Sequence, residues 1–112
     1  MIGSDPLDLG GQVAFVSGAG QGAGRAIALA LARHGAGGVA VNDFVAERAR
    51  AVAEEIRALG VAAVAAPADV GDLASVHAAM AQAATLGPVT ILVNNAGNAG
   101  PDHVMRPTPL FW

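Results

Sequence analysis

Four glycines alternate from Gly18 to Gly24, between an apolar run and an alanine-rich helical pattern. Glycine permits a positive φ and lets the backbone come close to a ligand. The first turn of a following helix presents unpaired N–H groups and the positive end of its dipole to an anion. The segment therefore predicts a site for the pyrophosphate of a dinucleotide. The alternative interpretation is a glycine-rich turn with no ligand.

Asp43 is a second candidate group, at the end of another short apolar run and about 20 positions after Gly24. An acidic side chain at this place in a dinucleotide site accepts hydrogen bonds from the adenosine ribose hydroxyls. It would also repel a 2′-phosphate, and neither Phe44 nor Val45 offers a compensating charge. We therefore expect NAD to be preferred over NADP, unless Asp43 only caps a turn.

The elements that position these groups are short apolar runs alternating with longer helical patterns. Strands are predicted at 13–16, 39–41, 61–66 and 89–93, and helices at 22–34, 46–59 and from the N-cap Asp72 to the stop at Gly87 and Pro88. Because no hairpin signal interrupts the alternation, it predicts right-handed βαβ units and a parallel sheet with helices on both faces.

Helical spacing also predicts which side of each helix faces the sheet. The predicted inner faces are Ala23, Ile27, Ala30 and Leu31 in the first helix, Ala49, Val52, Ala53, Ile56 and Leu59 in the second, and Leu73, Val76, Met80 and Ala83 in the third.

Composition excludes several functional classes. The 112 residues carry a net charge of -3, and the six basic residues are scattered arginines, so no nucleic-acid partner is expected. There is no cysteine, and the three histidines lack metal-ligand spacing, so no metal site is expected. Without a leader pattern or a membrane-spanning run, we expect a cytoplasmic protein that does not enter the membrane.

The glycines fit two fingerprints. Gly18-x-Gly20-x-x-Ala23 is the general dinucleotide pattern, and Gly18-x-x-x-Gly22-x-Gly24 is a variant of it. Two later motifs decide between them: Asp69-Val70 after the third predicted strand, and the run Asn94-Asn95-Ala96-Gly97 after the fourth. In this order and spacing the motifs resemble the short-chain dehydrogenase/reductase family, which selects the second fingerprint and makes Gly20 incidental.

The resemblance implies a Rossmann-type, doubly wound α/β fold with about four parallel strands in the order 3-2-1-4. It implies a lead-in at 1–11, an NAD-binding half-domain at 12–97, and a loop and tail at 98–112. Asp69 would bond the adenine amino group, Val70 would pack near the ring, and Asn94 would either line the site or tie strands together. The full implied cofactor set is Ser17, Gly18, Gln21, Gly22, Ala23, Gly24, Asp43, Phe44, Asp69, Val70, Asn94, Asn95, Ala96 and Gly97.

The family's catalytic Ser and Tyr-x-x-x-Lys pair lie on later elements, and this sequence contains no tyrosine and no lysine. We therefore assign no catalytic residue and expect the cofactor half of an oxidoreductase that transfers hydride between NAD and a secondary alcohol or ketone. A carbonyl or alcohol substrate would bind only with a catalytic half present, and the oligomeric state stays open. The alternatives are an NAD-binding module without chemistry and a fragment without function. Arg25 is either a pyrophosphate contact or a solvated helix residue, and His103 is expected to be an exposed loop residue.

Overall fold

The structure, a computed structural model, describes residues 8–95, in which strands and helices alternate. The elements are β1 (Val13–Val16), α1 (Gly22–Arg33), β2 (Gly38–Val41), α2 (Ala46–Ala58), β3 (Ala62–Ala65), α3 (Leu73–Ala84) and β4 (Val89–Val93). These strands form one parallel sheet in the order β3-β2-β1-β4. The predicted Rossmann-type architecture is confirmed, and no predicted strand is missing.

Helices cover both faces of the sheet. Successive side chains of a strand point to opposite faces, so Val16 of β1 packs into one apolar cluster and Phe15 into the other. The first cluster joins the sheet to α1 and α2, through residues such as Leu29 and Ile56. The second joins it to α3 through Ala79. The sheet is therefore doubly wound, as predicted.

The sheet is buried at its centre and less covered at β4. All residues of β1 and β2 are buried, which is why these strands are apolar runs without alternation. Along β4, half-buried and exposed residues alternate. Leu92 is paired with Phe15 in the parallel register and is 54% exposed. The described residues therefore leave part of the α3 face beside β4 in contact with solvent.

The predicted helix faces need correction. In α1 the predicted Ile27 and Leu31 pack against the first cluster, but Ala23 and Ala30 are exposed. The buried residues of this helix are Gly24, Ala28, Leu29 and Ala32. An alanine-rich helix has little contrast between its sides, so its rotation is decided by the close approach of Gly24 to the glycine loop. The predicted face of α2 is right except for Leu59, which is exposed because it is the C-cap.

The start of α3 follows the prediction, and its inner face follows it in part: Ala83 is buried and Met80 packs against the second cluster. Asp72 is the N-cap and accepts a 3.2 Å hydrogen bond from the Ala74 N–H. Leu73 is exposed, and the buried residues are Ala79 and Ala83. No helix within residues 8–95 is long and apolar enough to cross a membrane.

Arg25 of α1 forms an ion pair with Glu55 of α2. The Arg25 Nε donates a 2.8 Å hydrogen bond to Glu55 Oε1, and Nη2 donates to Oε2. The hydrogen bond from Arg25 holds the pKa of Glu55 below its ordinary value of 4.5, and the positive charges of Arg25 and Arg33 add to this effect. The pair ties the two helices together and favours a structural interpretation of Arg25.

We expect Glu55→Gln to lower the thermal midpoint slightly at pH 7, because both partners are well exposed. A carboxylate whose pKa is depressed by folding stabilises the native state above its unfolded pKa, and that contribution is lost as the pH falls through the lower folded value. The difference from the unaltered protein should therefore begin to shrink as the pH falls below 4.5 and should disappear only below the depressed folded pKa of Glu55. Thermal unfolding followed by circular dichroism between pH 3 and 7 measures it, with Glu47→Gln as the exposed control.

Candidate functional site

The glycine loop follows β1 and ends at the first turn of α1. Gly18 and Gly22 have φ values of +62° and +59°, a left-handed conformation in which any other residue is strained. Gln21 is the N-cap of α1 in an extended conformation, and its side chain makes no capping hydrogen bond. Gln21, Gly22 and Ala23 are exposed. The first turn of α1 is therefore exposed, and the Gln21 side chain does not cap its N–H groups, as an anion site requires.

Gly24 is where α1 comes closest to the loop. A β-carbon built on Gly24 would lie 2.1 Å from the Gly18 carbonyl oxygen and 2.5 Å from Asn95 Nδ2. No side chain fits in that space, because the nearest obstacle is backbone. The third glycine of the fingerprint is therefore required by packing between α1, the loop and the end of β4.

Ser17 and Asn95 join the ends of β1 and β4. The fully buried Ser17 hydroxyl donates a 3.2 Å hydrogen bond to the Val93 carbonyl and accepts a 2.8 Å bond from the Asn95 N–H. The Asn95 side chain donates from Nδ2 to the Gly18 carbonyl at 3.3 Å. Asn94 is exposed. Among residues 8–95 the hydrogen bonds that join these strand ends are made by Asn95, and Asn94 makes none of them.

Asn42 is a site residue that the sequence analysis misses. It is 1% exposed, accepts a 3.4 Å hydrogen bond from the Gly18 N–H through Oδ1, and donates from Nδ2 to the Ala66 carbonyl at 2.8 Å. Its own carbonyl accepts a 2.7 Å bond from the Ala19 N–H. Asn42 thereby connects the loop to the end of β3. The sequence signal that could have identified Asn42 is an amide side chain directly after a fully apolar strand.

Asp43 lies beside Asn42 and is 8% exposed. Its Oδ2 accepts a 3.1 Å hydrogen bond from the Val45 N–H, so the carboxylate does cap the turn before α2. Its Oδ1 accepts no hydrogen bond within residues 8–95. One oxygen therefore holds the turn, and the other is available to a ligand.

Gly20 is not incidental, contrary to the sequence interpretation. A β-carbon at Gly20 would lie 2.6 Å from Arg48 Cβ, 2.7 Å from Asp43 Cγ and 2.9 Å from Asp43 Oδ2. The loop can therefore pass over Asp43 only because position 20 has no side chain. Fingerprint matching alone missed this contact, because it depends on how α2 packs against the loop.

The remaining candidates lie at the same edge of the sheet. Phe44 is 75% exposed, which is unusual for so large an apolar side chain. Asp69 is exposed after β3; its Oδ1 accepts a 2.9 Å hydrogen bond from the Gly71 N–H, and its own N–H donates to Ser75 Oγ. Val70 is half-buried. Ligands in open α/β sheets bind beyond the carboxyl ends of the strands, where these residues lie.

Ala96, Gly97 and His103 lie outside the described residues. In the part of the chain that the structure describes, no group of three His, Asp or Glu side chains is placed to hold a metal ion. The structure thus brings the glycine loop and the ends of all four strands together at one edge.

Comparison with known proteins gives a consistent result. A family model described as short chain dehydrogenase matches residues 12–109. The chain is 43% identical over 112 residues to the 7alpha-hydroxysteroid dehydrogenase of Escherichia coli (strain K12), a match covering 99% of this chain and 44% of that protein. It is 42% identical over 110 residues to a versicolorin reductase of Emericella nidulans, covering 97% of this chain and 42% of that protein.

Solved structures agree with the fold. A 7 alpha-hydroxysteroid dehydrogenase complexed with NADH and 7-oxo glycochenodeoxycholic acid matches with a TM-score of 0.82 and 43% identity, covering 90% of this chain and 40% of that one. A dehydrogenase/reductase from Sinorhizobium meliloti 1021 matches with a TM-score of 0.75 and 44% identity, covering 81% and 36%. The chain therefore spans less than half the length of these relatives.

Proposed function

Because the chain belongs to the short chain dehydrogenase family, we propose that it is the NAD-binding part of an oxidoreductase that acts on a secondary alcohol or ketone. The observation that carries the proposal is the glycine loop, where Gly18 and Gly22 have positive φ and the exposed first turn of α1 has no side-chain cap from Gln21. Gly24 permits this geometry because it has no side chain. The NADH complex of the 7 alpha-hydroxysteroid dehydrogenase, which has the same fold, supports the assignment.

The residues fit a dinucleotide. The backbone of Gly18, Gln21, Gly22 and Ala23 would bind the pyrophosphate, while Ser17, Gly24 and Asn95 hold the loop in place. The free Oδ1 of Asp43 would accept hydrogen bonds from the adenosine ribose. Bound nicotinamide supplies the hydride acceptor or donor.

The adenine would lie between the exposed Phe44 ring and the Asp69-Val70 turn. Aromatic and aliphatic side chains at an open edge offer apolar surface to a planar base, and the second oxygen of Asp69 is available to its amino group. Asn94, Ala96 and Gly97 remain predicted contacts of the cofactor.

A binding role without chemistry is the second candidate for this chain. Protonating a developing alkoxide needs a positioned acid, and the sequence has neither the tyrosine nor the lysine that supply it in the family. The chain alone is therefore proposed to bind NAD without transferring hydride. Cytoplasmic localisation remains a prediction.

Titration of the 112-residue chain with NAD tests the function. We expect saturable binding by isothermal titration calorimetry and a change in NADH fluorescence on mixing. Absence of both signals up to millimolar cofactor, with the chain shown to be folded by circular dichroism, would contradict the proposal.

We further propose that Asp43 makes the site prefer NAD over NADP, and Asp43→Asn tests this preference. Asparagine keeps an acceptor for the Val45 N–H but removes the charge, so the ribose bonds weaken and the repulsion of a 2′-phosphate is lost. We expect the ratio of the NADP and NAD dissociation constants to fall at least about tenfold, or about 1.4 kcal/mol.

The matched control for that substitution is Asp72→Asn, which changes another capping aspartate at the start of α3. It should leave the ratio unchanged. If Asp43→Asn also leaves it unchanged, Asp43 is only a turn residue.

A further inference from the structure

We propose that Arg48 is a second specificity-determining residue of this site, a cation that binds the 2′-phosphate of NADP and opposes Asp43. Arg48 would set the residual affinity of the unaltered chain for NADP and would supply most of that affinity once the charge of Asp43 is removed. The idea rests on the proposed NAD site, because it places the adenosine ribose at Asp43.

The geometry joins Arg48 to Asp43 through Gly20. The Cβ of Arg48 and the Cγ of Asp43 both lie within 2.7 Å of the point where Gly20 would carry a β-carbon, so both side chains contact the glycine loop from the same side. Hydrogen bonds fix this arrangement: the Arg48 N–H donates to the Val45 carbonyl at 3.1 Å, and the Val45 N–H donates to Asp43 Oδ2 at 3.1 Å. The first turn of α2 thus places Arg48 close to Asp43, which lies five positions earlier in the chain.

Arg48 is exposed and has no acidic partner within 4.0 Å among residues 8–95, whereas Arg25, Arg50 and Arg57 each pair with a glutamate. Arg33 is also outside any such pair, but it lies in the last turn of α1, away from the glycine loop. Arg48 is therefore the described arginine at this edge whose guanidinium is free for a ligand. Its planar fork of donors suits phosphate oxygens.

Arg48 and Asp43 would act on a 2′-phosphate with opposite signs. Both side chains contact the glycine loop at Gly20, so a 2′-phosphate on a ribose bound at Asp43 would lie within reach of both charges. Because neither Phe44 nor Val45 carries a positive charge, Asp43 taken alone favours the exclusion of NADP. With Arg48 counted, the exclusion is partial and depends on ionic strength.

Titration of NAD and NADP into five proteins tests the proposal: the unaltered chain, Arg48→Gln, Asp43→Asn, the double variant, and Arg50→Gln. In the Asp43→Asn background, Arg48→Gln should weaken NADP binding about five- to tenfold and change NAD binding less than twofold. The NADP loss should shrink at high salt. Arg50→Gln, on the same helix with its own partner Glu47, should leave both cofactors unchanged.

Three results would overturn the proposal. Equal weakening of NAD and NADP by Arg48→Gln would place Arg48 at a group common to both cofactors, and an equal effect of Arg50→Gln would reduce it to general surface charge. A chain that binds no NAD in any form contradicts the proposed function itself. Normal NAD binding together with no effect of Arg48→Gln on NADP binding contradicts only this inference. Thermal unfolding of each variant confirms that all five proteins fold.

Discussion

Replacing Gly24 with alanine is expected to lower the free energy of unfolding by about 2–3 kcal/mol or more and to abolish measurable NAD binding. The added β-carbon would lie 2.1 Å from the Gly18 carbonyl oxygen, which is backbone and cannot rotate away. Either α1 moves off the loop or Gly18 leaves its left-handed conformation. Both changes disturb the N–H groups proposed to hold the pyrophosphate. Urea unfolding followed by circular dichroism measures the loss.

Two other glycines provide controls for the Gly24 substitution. Gly22 and Gly60 have positive φ values of +59° and +87°, and a β-carbon at either would meet no atom within 4 Å. Alanine there carries only the backbone strain, about 1–2 kcal/mol. If Gly24→Ala destabilised the chain no more than Gly60→Ala, the close packing of α1 on the loop would be wrong.

Ligand linkage separates the effect on folding from the effect on binding. A ligand that binds only the native state raises its stability by RT ln(1 + [L]/Kd), about 2.7 kcal/mol at one hundred times Kd. Saturating NAD should therefore raise the thermal midpoint of the unaltered chain and of Gly60→Ala. It should leave the midpoint of Gly24→Ala unchanged.

The order and type of the elements could be predicted because they depend on local signals. Four apolar runs bounded by glycine or proline became the four strands, and Asp72 caps α3 as its sequence position indicates. Parallel pairing followed from the absence of hairpin turns, and burial on both faces explains why β1 and β2 show no alternation.

The features that sequence reasoning missed depend on contacts between distant elements. The rotation of α1 is decided by Gly24 meeting Gly18, because alanines on every side of the helix give no periodic signal. Gly20 matters because Asp43, which follows β2, and Arg48 of α2 pack over it. A fingerprint records spacing along the chain and carries no information about such approaches.

The carboxyl edge of the sheet is held by side-chain hydrogen bonds from one end to the other. Ser17 and Asn95 connect β4 to β1, and Asn42 connects the glycine loop to Ala66 after β3. A loop that binds pyrophosphate must keep its N–H groups aligned before the ligand arrives. We infer that the buried Ser17 and Asn42 and the half-buried Asn95 preorganise the loop, although the proposed ligand need not touch them.

Asn42→Ala is therefore expected to lower the free energy of unfolding by about 2–3 kcal/mol, nearly as much as the change at Gly24. It leaves the Gly18 N–H and the Ala66 carbonyl without their side-chain partner. The bond to Ala66 is fully buried, so its carbonyl then carries a desolvation cost that no hydrogen bond offsets. Urea unfolding measures the loss.

Asn94→Ala is the matched control for Asn42, because it removes the same side chain from an exposed position at the same edge. It should change the free energy of unfolding by less than about 0.5 kcal/mol. Asn42→Asp adds a finer test: it keeps an acceptor for the Gly18 N–H but faces the Ala66 carbonyl with a second acceptor, so it should fail to restore stability. If all three variants unfolded alike, the connection from the loop to β3 would contribute nothing, and backbone bonds alone would hold the site in shape.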